Sequence, residues 1–164
     1  MKNDIQLGAT VTDIVTGFTG IALHSYRHMN GNMQYAVQPK CKEGASELPS
    51  SLYIDDHTLQ VTVPANGIAK KPAPHAIELG MEVEDLVTGF RGTVTHELVF
   101  LNGCVHFLVS TKLKGPDKDA SEMQLSIERL KVLGPGVTKR IKVNKEDPTG
   151  GPMSSVKRMA VARG

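Results

Sequence analysis

An eight-residue phrase occurs twice in this chain. DIVTGFTG at residues 13–20 returns as DLVTGFRG at residues 85–92, altered only at Ile14/Leu86 and Thr19/Arg91. A copied phrase can mean a copied active site, a copied binding loop or a copied fold, so the extent of the copy has to be measured first. Aligning Leu7-Gly8 with Leu79-Gly80 carries Val11 onto Val83 and Asn30-Gly31 onto Asn102-Gly103. It then carries Tyr35 onto Phe107 and Val37 onto Val109 without a gap. After one residue of slippage Ile54 meets Leu125, and Leu59-Gln60-Val61 meets Leu130-Lys131-Val132. The copy is therefore a whole unit, spanning about residues 5–63 and 77–133. PANGIAKKPAPHA between the copies reads as an extended proline-rich linker.

Within a copy the strand signals are frequent. ATVTDIV alternates apolar and polar residues until Thr16-Gly17 breaks the pattern. Phe18 to Tyr26 reads as a second strand and Met33 to Gln38 as a third. Asn30-Gly31 marks the hairpin between them, on the expectation that both residues take positive φ. Leu52 to Ile54 and Leu125 to Ile127 are expected as short fourth strands. One tight turn follows at Asp55-Asp56-His57 or Glu128-Arg129, before last strands at Leu59 to Val63 and Leu130 to Leu133. Five short strands in so few residues describe an all-β fold, a tandem pair of small SH3-like barrels with an extended C-terminal arm. The expected division is barrel 1 at 1–63, linker at 64–76, barrel 2 at 77–133 and arm at 134–164. In the repeated phrase, Gly17 and Gly89 are expected at positive φ, and Gly20 and Gly92 at a bulge or sharp bend. Phe18 and Phe90 would close the edge of a small core, and Asp13 and Asp85 would tie down the turn. With 4 % aromatic residues and no Trp, that core has to be built from Val, Leu, Ile and Met.

The net charge of +2 is unevenly spread. Residues 134–164 hold Lys139, Arg140, Lys142, Lys145, Lys157, Arg158 and Arg163 against only Glu146 and Asp147, which leaves a mildly acidic body with a basic tail. The tail is punctuated by Gly and Pro and has no long amphipathic period. Alone in water it is expected to be disordered, and a neighbouring subunit would be needed to order it as an arm. Cys41 and Cys104 do not occupy matching positions, which argues against an intramolecular disulfide and for a reducing, cytoplasmic origin. No apolar run has the length of a signal peptide core or a membrane helix.

Motifs for catalysis are missing. TGFxG lacks the Lys-Ser/Thr of a phosphate-cradling loop, and no G-x-S-x-G, H-E-x-x-H or C-x-x-C occurs. Of the six histidines, His24 and His96 are equivalent across the copies and the least accidental, yet they read as strand histidines rather than metal ligands. Cys104 and His106 share a strand face without an orienting acid, and Asp55-Asp56 sits where a turn needs solvated acids. The chain is therefore expected to be no enzyme and to need no cofactor or metal. Nucleic acid is a competing partner because KRIKVNK is basic, but aromatics for base stacking are limited to Tyr26, Tyr53 and Phe100.

The run LG-x-x-V-x-D-x-VTGF-x-G, followed by NG(C), an aromatic and Val, resembles small proteins of tailed bacteriophages and prophages. Their pattern is LGD-x-V-x-D-x-VTGFEG…YLNGC. DLVTGFRGTVTHELVFLNGCVHFLV in the second copy is the closer match, and Asn32 stands in the first copy where that pattern has Cys. The resemblance covers both copies and not the tail. It implies a phage origin, and with the doubled barrel and the basic arm the expectation is a virion structural protein made in the host bacterial cytoplasm, most simply a capsid decoration or cement subunit that binds the major capsid protein. Self-association or contact with other virion subunits is also implied. The alternatives are a head–tail connector or tail component, and a phage-encoded module that binds nucleic acid or a host protein. Thr19, Arg91, Lys139, Arg140, Lys142, Lys145, Lys157 and Arg158 are the expected partner-binding residues.

Overall fold

A computed structural model of the chain describes residues 5–115 and 119–138. It is all-β, with ten antiparallel strands and two single turns of 3-10 helix among the described residues. The first copy forms β1 (Thr10–Asp13), β2 (Thr19–His28), β3 (Met33–Gln38), β4 (Leu52–Asp55) and β5 (Leu59–Val63). The second forms β6 (Glu82–Asp85), β7 (Arg91–Phe100), β8 (Val105–Ser110), β9 (Glu122–Ser126) and β10 (Leu130–Gly134). Each copy pairs its strands in the same order, β5-β1-β2-β3-β4 and β10-β6-β7-β8-β9, and the resulting sheet is open.

The local reasons lie in the repeated phrase. β1 stops at Asp13 because the Asp13 carboxylate accepts hydrogen bonds from the Val15 and Thr16 amides and the Thr16 hydroxyl. Those bonds fold the chain into a turn in place of the longer strand expected through Val15. Gly17 and Gly89 take φ of 76° and 73°, as the phrase requires. Gly20 and Gly92 serve a different purpose from the expected bulge. A Cβ at either position would stand 2.5 Å from a backbone carbonyl oxygen, of Gln38 or of Ser110, so the glycines admit the end of the third strand.

The hairpin tips also differ from expectation. Gly31 has positive φ, whereas among the described residues none other than glycine does. Gly31 N–H bonds to His28 O while His28 N–H bonds to Asn32 O, so a turn with one left-handed glycine replaces a turn with two left-handed residues. The same pattern links Phe100, Gly103 and Cys104. β9 lies earlier than the expected Leu125–Ile127. Ile127 instead opens a 3-10 turn at Ile127–Arg129, matching Asp56–Thr58 in the first copy.

Two small cores result, one around Val11, Ala22, Tyr35, Val37 and Leu59, the other around Val83, Val94, Phe107, Val109 and Leu125. Phe18 and Phe90 pack on their margins. What joins the copies is an overhang. β2 has ten residues against four in β1, so only its first part, Thr19 to Ile21, can pair with β1. Its remaining edge would be a bare row of amide and carbonyl groups. The matching overhang of β7 covers it: His24 pairs with Phe100, Tyr26 with Leu98 and His28 with His96. Tyr26 and Leu98 are equivalent positions, so a pseudo-two-fold axis passes between them. On one face of this joint the Arg27 guanidinium lies 2.5 Å from the Glu97 carboxylate, and His75 of the linker lies 3.1 Å from the other carboxylate oxygen.

Candidate functional site

The opposite face of the joint collects rings. Directly paired residues of antiparallel strands share a face, so three lateral rows can be read from the register. Tyr53, Ala36, His24 and Phe100 form the first, and Asp55, Gln34, Tyr26, Leu98, His106 and Ser126 the second. His28, His96, Leu108 and Gln124 form the third. Six strands, β4-β3-β2-β7-β8-β9, thus build one surface. Ala36 and Leu98 are buried within it, and half-buried rings surround them.

The rings touch in an unbroken series. His28 meets His96 at 4.3 Å between centroids, His96 stacks on Tyr26 at 4.5 Å, and Tyr26 meets Tyr53 edge-on at 5.7 Å. Tyr53 continues to His24 at 5.5 Å, His24 to Phe100 at 5.0 Å, and Phe100 to His106 at 5.0 Å. These separations and tilts are those that aromatic quadrupoles favour. Hydrogen bonds fix the polar edges: His24 Nε2 and the Tyr53 hydroxyl lie 3.1 Å apart, and His106 Nδ1 accepts from Gln124 at 3.0 Å. Asn30 N–H donates to His28 Nδ1, and the Thr95 hydroxyl sits 3.0 Å from His96 Nδ1.

Burial holds the His24 ring below the ordinary histidine pKa, and burial with the neighbouring His28 does the same to His96. Both therefore favour the neutral form. Burial, then the Glu122 and Tyr53 charges, raises the Tyr26 hydroxyl. Asp55 accepts from the Gln34 and Asn32 amides, which lower its pKa and keep it ionised. No Arg or Lys stands in the three rows, while Asp55 lies in one of them and Glu122 lies nearby on β9. Beside Phe100 the surface dips into a groove of about 450 Å³, lined by Leu23, His24, Ile68, Lys70, Leu101 and Asn102. Among the described residues there is no cluster of three or more His, Cys, Asp or Glu side chains able to hold a metal ion.

Tyr26, Tyr53 and Phe100, singled out separately in the sequence, come together here with His24 and His96. Sequence reasoning missed Gln124, and weighed His28 and His106 only as metal or nucleophile candidates rather than as parts of a ring-lined face. The available signal was the alternation of His24, Tyr26 and His28 along one strand. Cys104 lies in the turn before β8, while the His106 ring engages Gln124 and Phe100. Cys41 and Cys104 are both free and exposed.

The variable position of the repeated phrase lies elsewhere. The Thr19 hydroxyl is 2.8 Å from that of Thr12 across β1 and β2, and the equivalent Arg91 donates to Glu84 at 3.0 Å. Arg91 also lines a cleft of about 650 Å³ with Phe90, Lys112, Leu113 and Leu133. Lys139, Arg140, Lys142, Lys145, Lys157 and Arg158 lie outside the described residues, as does all but the first part of the expected arm. The tips of the two turns, Ile14-Val15 and Leu86-Val87, expose between 63 and 75 % of their surface. No helix among the described residues is long and apolar enough to cross a membrane. Compared with protein-family models, with curated proteins and with solved structures, the chain finds no match.

Proposed function

We propose that this protein is a non-enzymatic structural component of a bacteriophage virion, a decoration subunit that binds and stabilises the major capsid lattice. The observation that carries the reading is the doubling. Two units joined about a pseudo-two-fold axis present the same bare aliphatic turn twice, as Ile14-Val15 and Leu86-Val87. Aliphatic tips exposed in duplicate suit burial against neighbours that are themselves repeated. Engaging two such neighbours at once makes the second contact intramolecular and raises the overall affinity. The resemblance of both copies to tailed-phage proteins points the same way.

In this reading each unit is a small SH3-like barrel. The strand order β5-β1-β2-β3-β4 and the single 3-10 turn before the last strand support that description. Residues 1–63 and 77–133 are then the two barrels and 64–76 the linker, with 134–164 a basic arm reaching across adjacent capsid subunits. Mass spectrometry of purified particles tests the assignment. A copy number that follows the capsid lattice supports it, whereas one matching a portal or tail ring would make the protein a connector or tail component. Absence from particles overturns the virion reading. Removing residues 139–164, beyond β10 and the hydrogen bonds of Val137 and Thr138 to Gly80 and Leu79, should weaken binding to purified capsids while leaving the β-sheet spectrum unchanged.

A further inference from the structure

The ring-lined face has no task in that account, and it is built differently from the aliphatic tips. We propose that this face, together with the groove at its Phe100 end, is a binding site for an uncharged sugar chain. The inference does not depend on where the protein resides, nor on attachment to a capsid.

A pyranose offers two surfaces: an apolar C–H face and a rim of hydroxyls. Its C–H groups carry slight positive charge and suit the negative face of an aromatic ring. The hydroxyl rim suits side chains that both donate and accept. The sheet supplies the two in alternation. Tyr53 provides an open ring face with half-buried Tyr26 and Phe100 beside it, and Asp55, Gln34, Gln124 and Asn102 provide planar polar groups among and beside them. Tyr53 is the most open ring, with 54 % of its surface exposed. The rings are already held by their neighbours, His24 to Tyr53 and His106 to Gln124, so little ordering remains for a ligand to impose. The groove beside Phe100, at about 450 Å³, has the size of a small-ligand site.

Charge selects the occupant. A single-stranded nucleic acid needs cations along its phosphates as well as rings for its bases. This surface has ionised Asp55 within its rows and Glu122 beside them, and among the described residues Lys70 at the rim of the groove is the one lysine or arginine lining it. Such a field repels a polyanion and leaves an uncharged chain unaffected.

The test is titration of the full chain with maltoheptaose, cellohexaose and hexa-N-acetylglucosamine, followed by calorimetry at low and high salt, with oligothymidylate as a parallel probe. At least one sugar should bind with an affinity insensitive to salt. Tyr53→Ala, at an exposed ring whose loss leaves the cores intact, should weaken that binding about tenfold or more. Tyr53→Phe should restore most of it, and Ile14→Ser should not change it. Circular dichroism of each variant separates a lost contact from a lost fold. Failure of all three sugars overturns the proposal. So does steeply salt-dependent binding of oligothymidylate in their place, or an unchanged sugar affinity in folded Tyr53→Ala.

Discussion

The two copies share a backbone and solve its weak points with different chemistry. In the first, the Thr16 hydroxyl and the Val15 and Thr16 amides donate to Asp13 and lower its pKa despite burial, while the Thr58 hydroxyl donates to the Asp55 carbonyl. In the second, Arg129 stands where the first has Thr58. It reaches Asp85 with two nitrogens at 2.9 and 2.6 Å, which drives the buried carboxylate far below the ordinary range. The β1–β2 contact follows the same trend, since the hydroxyl pair Thr12–Thr19 becomes the ion pair Glu84–Arg91. Both members changed together, as expected where two side chains are cross-strand partners. The cores diverge as well. Ala22 in the first copy corresponds to Val94 in the second, whose two additional buried carbons contribute about 0.8 kcal/mol each, and Tyr35 corresponds to Phe107, which buries the same ring without a hydroxyl. The difference teaches that the fold asks for a shape at each position and leaves the chemistry open. It also ranks the second copy as the firmer of the two.

Cutting a core ring should break that ranking most visibly. Phe107→Ala is expected to cost about 3–5 kcal/mol in urea denaturation, since the ring is completely buried and leaves a cavity. Tyr35→Ala should cost less, and the reverse order would refute the ranking. Gly20→Ala and Gly92→Ala should each lose about 1–3 kcal/mol, because the new methyl meets backbone rather than a movable side chain. Here the copies should behave alike, so an effect in only one would show that their third strands approach differently.

Exchanging the clamps sharpens the comparison further. Arg129→Thr should lower thermal stability at neutral pH and raise the Asp85 pKa toward the usual aspartate value. A depressed carboxylate pKa stabilises the fold above the unfolded value of about 3.9, and that contribution is lost as pH falls through the folded value. The gap between parent and variant should therefore be widest at neutral pH and close on acidification. A gap independent of pH would mean that the guanidinium acts by packing alone. The double change Glu84→Thr with Arg91→Thr should move stability by less than about 1 kcal/mol, because Arg91 is largely exposed. A larger loss would mark the cleft beside Arg91 as coupled to the fold.

Much of each unit was legible in the chain. Alternation located the strands, and the Asp, Phe and Gly of DIVTGFTG declared their roles because all act within a few residues of themselves. Gly20 and Gly92 were identified as special for the wrong reason, since the backbone they admit comes from a strand about eighteen positions later. The joint between the copies was not legible. A period of two tells which face a side chain takes and says nothing of which edge a strand will share. The ring face failed to show for the same reason, as it brings Tyr53 to His24 and His28 to His96 across three hairpins and two copies. The excess length of β2 over β1 was the clue within reach.

That excess has an evolutionary reading. A chain holding one copy alone would carry the same uncovered strand edge, and the simplest partner for it would be the same edge of a twin. The register around Tyr26 and Leu98 is the one an isologous homodimer would adopt, with the central residue facing itself. Linking two such protomers in one polypeptide frees their halves from identity. Arg27 can then face Glu97 where the symmetry-related pair is Val99 with Ser25. A single polypeptide of this kind has a distinguishable left and right, which a symmetric dimer lacks.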